Sequence, residues 1–261
     1  MYDLAALETE LAGTIFAGKL HFSSVTGSTN TDAVAAARAG AAHGSVYFAD
    51  EQTAGRGRGD HRWHSAAGEG IYVSIVLRLQ VSADRFALLP LAAGLAAAEA
   101  VGSVTGLAID LRWPNDLLIV PRKVGGVLVE AGTDSMGLPY AVVGVGINVH
   151  QQKLDPDLST PATSLDLEAG VRVSRQALLA ALLESLEREA TALAESASTL
   201  GTLARVEEAS TWVRGRRVQV HGPQACTGVT AGLDLNGFLR IETAAGTVTV
   251  QTGGLRAAEM E

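Results

Sequence analysis

Two arginines alternate with three glycines at Gly55-Arg56-Gly57-Arg58-Gly59. Guanidinium groups stay charged, and their planar forks match carboxylate and phosphate oxygens. Glycines lack a Cβ and let the backbone come close to a ligand. The pattern is that of an anion clamp; a solvated loop with two surface arginines is the plainer alternative. It is not a dinucleotide fingerprint, because Trp63 and a strand follow and no helix opens there. It is not a P-loop either, because no Lys-Ser or Lys-Thr follows. The chain has 20 Lys and Arg against 28 Asp and Glu, a formal charge of −8, so a local cationic cluster is informative. The same acidic field argues against nonspecific nucleic-acid binding.

Four further groups carry chemistry. Lys123 stands before an apolar strand that contains Gly125 and Gly126 and ends at Glu130. Its ammonium can enter a pocket that a carboxylate approaches; an ordinary turn lysine before a bulge accounts for the pattern as well. Trp113-Pro114-Asn115-Asp116 is a turn, where Asn and Asp usually serve the backbone. Alternatively, Asn115 bonds a base or ribose and Asp116 orients a cation or a basic side chain. In Gly144-Val145-Gly146-Ile147-Asn148-Val149 the glycines mark close approach, and Asn148 needs a partner, whether ligand or protein. Ser28, Thr29 and Asn30, with Gln52, are neutral donors and acceptors. They read as helix capping and surface polarity, or as the lining for an uncharged urea-like or amide-like ligand head.

These residues need elements to hold them. Hydrophobic spacing predicts helices over 3–16, 32–39, 84–101, 174–193 and 203–209. Strands are predicted over 20–25, 45–49, 71–79, 109–113, 117–120, 124–131 and 140–149. Between them lie a long polar loop over 52–70 and a proline-containing loop over 151–165. Successive strands with short turns, flanked by helices, predict an α+β domain with a mixed or antiparallel sheet and no regular βαβ alternation. After Trp212 the pattern changes to short strands over 217–221, 227–233, 238–241 and 247–251, a small β-barrel. The boundary falls near Ser210, giving units 1–210 and 211–261.

The remaining composition narrows the class. A single cysteine, Cys226, excludes an intramolecular disulfide and a multi-cysteine zinc site. The six histidines show no H-E-x-x-H spacing, and no resident protein metal site is expected. The first 18 residues have no basic n-region of a signal peptide. The alanine-rich stretch 86–101 is interrupted by Pro90, Gly94 and Glu99 and is too short to span a bilayer. A cytoplasmic protein without membrane partners is expected.

The ordered set of motifs resembles the biotin protein ligases. It runs from Thr26-Gly27-Ser28-Thr29-Asn30, through Gln52-Thr53-Ala54-Gly55-Arg56-Gly57-Arg58 and Trp113-Pro114-Asn115-Asp116-Leu117, to 123–130 and 144–148. The resemblance covers the chain from about Val25 to its end. It implies a catalytic domain related to class II aminoacyl-tRNA synthetases, followed by an SH3-like barrel. It implies that Ser28, Thr29, Asn30 and Gln52 line a biotin pocket and serve the ureido ring. Arg56, Gly57 and Arg58 would belong to a loop closing over the activated intermediate, with Arg56, Arg58 and Lys123 as the catalytic cations that cancel the repulsion between the two anionic substrates. Lys123, with Gly125 and Gly126 beside it, would contact the reacting carboxyl and phosphoryl oxygens. Asn115, Asp116 and Asn148 would lie on the nucleotide side, with Trp63 packing the loop shut. Gly59-Asp60-His61-Arg62 departs from the family's usual basic or variable residue, glycine and arginine before the tryptophan, and Asp60 adds a negative charge.

The implied reaction joins biotin and ATP, with Mg²⁺, into biotinyl-5′-AMP and then acylates a lysine of a biotin carboxyl carrier protein. Too few residues precede the first motif for a helix-turn-helix domain, so the form without a DNA-binding role is expected. The sequence does not fix the oligomeric state and leaves a homodimer open. A lipoate or octanoate ligase would want a more apolar pocket. A silent biotin-binding regulator would bind biotin without ATP-dependent pyrophosphate release, and the intact Lys123, Arg56 and Arg58 argue against it.

Overall fold

The computed structural model describes residues 2–59, 61–155, 158, 160–196 and 198–258. The chain runs α1 (Leu4–Glu10), β1 (Leu20–Thr26), α2 (Thr29–Arg38), β2 (Ser45–Gln52), β3 (Gly70–Leu77), α3 (Ala83–Phe86), α4 (Leu89–Thr105), β4 (Asp110–Arg112), β5 (Asp116–Ile119), β6 (Arg122–Thr133) and β7 (Pro139–Asn148). It continues through α5 (Leu165–Ala169), α6 (Arg175–Glu195), α7 (Leu200–Glu208), β8 (Arg214–His221), β9 (Cys226–Leu233), β10 (Leu239–Thr243), β11 (Gly246–Val250) and β12 (Gly254–Ala257).

Strands β1 to β7 form one sheet in the order β1-β2-β3-β7-β6-β5-β4. Only β1 and β2 are parallel, joined by a crossover through α2; the other neighbours are antiparallel. The sheet is mixed, as expected, and it contains one βαβ unit that the sequence reading did not anticipate.

Register explains how one sheet serves two purposes. Ile71, Val73, Ile75 and Leu77 of β3 pair with Ile147, Val145, Val143 and Ala141 of β7. Directly paired residues share a face, so these side chains make one apolar surface, buried in one core with Leu178, Leu182 and Leu186 of α6 and Ala93, Ala96 and Ala97 of α4. The intervening residues point the other way. There Val76 and Val142, with Tyr140, pack on Ala33 and Ala37 of α2. Further along this second face come Ser74 paired with Gly144 and Tyr72 paired with Gly146, and Gly126 and Leu128 of β6 pair with Gly146 and Gly144. The second face therefore changes from packed aliphatics under α2 to a strip where Gly126, Gly144 and Gly146 leave gaps beside Tyr72, Ser74 and Leu128.

Helix α6 fits its leucine stripe, and the Ser174 hydroxyl accepts from Ala177 N–H to start it. Helix α4 is apolar nearly all round and is buried accordingly, closed by Gly106 at φ +73°.

Strands β8 to β12 make a second, antiparallel sheet in the order β11-β10-β9-β8-β12. The apolar core is continuous across the two sheets, with Val218, Val220 and Leu239 buried in the same cluster as Leu111 and Trp113. The Trp113 indole N–H also donates to Gly237 O at 3.0 Å.

Several boundaries differ from the sequence reading. The first helix is shorter than 3–16, ending where Gly13 and Thr14 form turns. The helix over 84–101 is two, α3 and α4, because Pro90 opens α4 in its first turn. The 151–165 loop runs into α5, and Pro156, Asp157 and Ser159 lie outside the described residues. The C-terminal sheet has a fifth strand, β12, paired with β8, where only four had been expected.

Candidate active site

The N-terminus of α2 forms one wall. Ser28 occupies the N-cap with extended backbone, yet its side chain makes no capping bond. Its hydroxyl is buried without a partner. Gln52 Oε1, at the end of β2, accepts from Thr29 N–H at 2.9 Å and from the Thr29 hydroxyl at 3.1 Å. The Thr29 hydroxyl also lies 2.9 Å from Ser74 Oγ, and Gln52 Nε2 donates to Ser65 Oγ at 2.7 Å. Asn30 Nδ2 donates to Glu130 Oε2, and Asn30 Oδ1 is buried without a partner. The structure thus brings Ser28, Thr29, Asn30 and Gln52 together.

The floor is the glycine strip. A Cβ on Gly144 would sit 2.5 Å from Asn30 Oδ1, and one on Gly146 would sit 2.6 Å from the Trp63 indole. Such separations are far below van der Waals contact, so any side chain here would push out what now rests on the floor.

The glycine-arginine segment is a tight irregular hairpin rather than an open loop. Trp63 N–H donates to Gly55 O at 2.9 Å and Gly57 N–H to His61 O at 2.8 Å, with Arg56 bridging to Arg62. Gly55 is required because a Cβ there would fall 2.3 Å from Trp63 O. Asp60, the added acidic residue, lies outside the described residues. Arg56 makes a two-pronged ion pair with Glu130 at 2.8 and 2.9 Å. Arg58 does not point the same way. Its guanidinium donates to Gly253 O and to the Thr252 hydroxyl, both at 2.7 Å, in the turn between β11 and β12. Burial draws the Arg58 guanidinium below its ordinary range, against the pull of Asp116.

Lys123 opens the opposite wall. Its ammonium pairs with Asp116 Oδ1 and lies 5.7 Å from the centre of the Trp63 ring. Asp116 Oδ2 accepts from Arg112 Nε at 3.0 Å and Nη2 at 2.6 Å. Burial pushes the Asp116 carboxyl up, but the attraction and hydrogen bonds of Lys123 and Arg112 outweigh it and hold the carboxyl below its usual range. Gly126 leaves space beside this ammonium, a Cβ there being 3.6 Å from Nζ. Gly125 packs inward, where a Cβ would meet Gly146 O at 2.8 Å.

The two asparagines placed on the nucleotide side are tied to the backbone in this structure. Asn115 Nδ2 donates to Val127 O at 2.8 Å and Asn148 Nδ2 to Thr163 O at 3.0 Å. Gln151 Nε2 reaches Asn148 Oδ1 at 3.4 Å. Both bonds fix turns that frame β6 and β7, the backbone service that Asn performs most often.

Three of the five buried side-chain polar atoms without a partner among the described residues, Ser28 Oγ, Asn30 Oδ1 and Trp63 Nε1, cluster here. Each unmade bond costs about 1–3 kcal/mol, so the concentration marks a place built for a polar guest. A donor-and-acceptor head at one end and cations at the other suit a ligand with a neutral polar ring and an anionic tail.

Sequence reading missed Ser65, Ser74, Arg112 and Glu130. Ser74 carried a signal, being the one small polar side chain inside the apolar run of β3. Glu130 closed the Lys123 motif and drew no role. Arg112 and Ser65 gave none, because their importance arises from tertiary contacts.

The family model described as biotin/lipoate A/B protein ligase family matches residues 22–148. The bifunctional ligase/repressor BirA of Bacillus subtilis is 35% identical over 184 residues, covering 70% of this chain and 55% of that protein. A biotin–[acetyl-CoA-carboxylase] ligase of Mycobacterium tuberculosis is 36% identical over 238 residues, covering 87% and 85%. This chain therefore spans about half the length of the Bacillus relative. The solved structure of the Aquifex aeolicus biotin protein ligase in complex with biotin and ATP superposes with a TM-score of 0.79 at 28% identity, covering 92% of this chain and all of that one. With its ordered motifs gathered on one glycine-floored face, the chain belongs to the biotin/lipoate A/B protein ligase family.

Proposed function

We propose that this protein is a biotin protein ligase, forming biotinyl-5′-AMP from biotin and ATP and transferring biotin to a lysine of a biotin carboxyl carrier protein. The observation that carries the reading is the polarity of the site: orphaned neutral polar atoms at the α2 wall and cations at the far end of one glycine floor. A lipoyl ring offers no partner to Ser28 Oγ or Asn30 Oδ1, whereas a ureido ring presents both donors and an acceptor. The Aquifex aeolicus relative with biotin and ATP supports the same pair of substrates.

In this reading Ser28, Thr29, Asn30 and Gln52 hold the ureido ring, and Gly144 and Gly146 let Asn30 and Trp63 lie close against the sheet beside it. Lys123 stands where the carboxylate would meet the α-phosphate. Two anions must approach, and a fixed ammonium in a partly dry site offsets their repulsion. Asp116 and Arg112 orient that ammonium. The hairpin with Arg56, Gly57 and Arg58 covers the mixed anhydride and keeps water out. Asn115, Asp116, Asn148 and Trp63 frame the nucleotide side. Mg²⁺ travelling with the triphosphate would add charge neutralisation. Among the described residues no group of three or more His, Cys, Asp or Glu side chains could hold a metal alone, so the phosphates would be its main ligands. No protein nucleophile is required, since the carboxylate attacks the α-phosphorus, releasing pyrophosphate, and the acceptor lysine amine attacks the acyl carbon, releasing AMP.

Residues 1–210 would form the class II synthetase-like catalytic unit and 211–261 an SH3-like barrel, supported by the two separate sheets. A cytoplasmic location belongs to this reading. Among the described residues no helix is long and apolar enough to cross a membrane.

The test is incubation with labelled biotin, ATP and a biotin carboxyl carrier domain. Label on the acceptor lysine is expected. Labelling by lipoate in preference to biotin, or biotin binding without pyrophosphate release, would overturn the reading.

A further inference from the structure

Glu130 ends the Lys123 motif without an assigned role, yet it touches two residues that have one. Its Oε2 accepts from both Asn30 Nδ2 and Arg56 Nη1, and its Oε1 accepts from Arg56 Nη2. A carboxylate in an ion pair has only acceptors to offer. The Asn30 atom facing it must therefore be the amide nitrogen, which leaves Oδ1 turned toward the floor at Gly144. That oxygen is buried and unpartnered, in a residue only 4% exposed.

We infer that Glu130 is a positioning residue that fixes the polarity of the Asn30 amide, so that the pocket presents an acceptor to a ligand N–H, while the same carboxylate holds Arg56 of the covering hairpin. The inference rests on the biotin reading and names what selects one end of the ureido group. Without Glu130 the Asn30 amide is free to turn and offer a donor instead. A ligand carbonyl would then be as welcome as an N–H. Because Arg56 shares the carboxylate, closing of the hairpin and orientation of the amide are set by one group.

The test is biotin-dependent ATP–pyrophosphate exchange by the full chain, with wild type, Glu130→Gln, Asn30→Asp and the double variant. A glutamine can keep the two bonds made at Oε2, from Asn30 Nδ2 and Arg56 Nη1, or the one made at Oε1, from Arg56 Nη2, but not all three, so Glu130→Gln should raise the KM for biotin at least about fivefold with kcat changed far less. Asn30→Asp sets two carboxylates against each other and should raise it further. In the double variant the new glutamine amide donates to the new carboxylate, and the KM should return to within a few-fold of wild type. Biotin methylated on a ring nitrogen, used as a competitor, should be strongly disfavoured by wild type and less so by Glu130→Gln.

A double variant no better than Asn30→Asp alone overturns the inference, as does Glu130→Gln with wild-type KM and an unchanged penalty for the methylated analogue. Should Glu130→Gln fail to fold, failure of Asn30→Asp to raise the KM overturns it equally. These outcomes differ from failure of the functional reading, which would show as no biotin-dependent exchange by wild type itself.

Discussion

The two faces of the seven-stranded sheet are built from alternate residues of the same strands, and they obey opposite rules. On one face Val143, Val145 and Ile147 are fully or almost fully buried under α4 and α6. On the other, Gly144 and Gly146 leave a bare strip on which Asn30 and Trp63 rest. The first face fills every space and holds the fold. The second face withholds side chains and leaves polar atoms unpartnered, a local cost that the packed face offsets. Neighbouring residues should therefore report on different properties, stability on one side and ligand on the other.

The largest separation is expected at the cationic end. Lys123→Ala should lower adenylate formation about 100-fold to 1,000-fold, since it removes a charge preorganised for the reacting oxygens. Lys123 is partly exposed and Arg112 stays on Asp116, so thermal unfolding should change far less than exchange. Pyrophosphate exchange and a melting curve on the same sample measure both; normal exchange removes Lys123 from the chemistry.

A pair of adjacent substitutions draws the contrast more sharply. Gly144→Ala places a methyl where Asn30 Oδ1 now sits, and the KM for biotin should rise about tenfold or more with kcat less affected. Val145→Ala, one residue on and 2% exposed, should instead cost about 2 kcal/mol of stability, lowering Tm by about 4–8 °C while leaving KM alone. If both variants lose ligand affinity equally, the two faces are not separable in the way their register implies.

The arginines of the hairpin divide along a related line. Arg56 faces Glu130 and the pocket, whereas Arg58 is anchored to the β11–β12 turn. Arg58→Ala should release the adenylate about tenfold faster, and Thr252→Val, which deletes one of the two bonds, should do so by a smaller factor. Dissociation of preformed intermediate measures each. An effect of Arg58→Ala without any of Thr252→Val would mean that the Thr252 hydroxyl plays no part in holding the hairpin.

How much of this was legible depended on whether a residue's role is written in its neighbours along the chain. Strand alternation exposed the apolar face, and the glycines interrupting 144–146 exposed the bare one. The capping-type residues at 28–30 and the arginines at 56 and 58 announced themselves by type and spacing. Direction was not legible. Nothing local tells that Arg58 turns to a strand end almost two hundred residues away, or that Asn115 and Asn148 bond backbone carbonyls of other segments. Glu130, Arg112 and Ser65 matter through partners brought in by the fold. The β12 strand was overlooked because four residues with one exposed arginine carry little alternation of their own.

The smallest expected effect concerns Asp116, and it separates the faces by pH. Its carboxyl lies below the ordinary value of 3.8 because Lys123 and Arg112 outweigh the effect of burial. A carboxyl depressed in the folded state contributes stability that is complete above its unfolded value and disappears as pH falls through the folded one. The melting-temperature gap between wild type and Asp116→Asn should therefore be steady from neutral pH down to about pH 5 and should narrow below about pH 4. The deficit of Val145→Ala arises from lost packing and involves no proton, so it should keep its size over the same range. Melting curves for the three proteins across that range test both statements. A gap for Asp116→Asn that stays constant to pH 3 would mean that the two cations do not favour the ionised carboxyl, and that Asp116 holds Lys123 by shape rather than by charge.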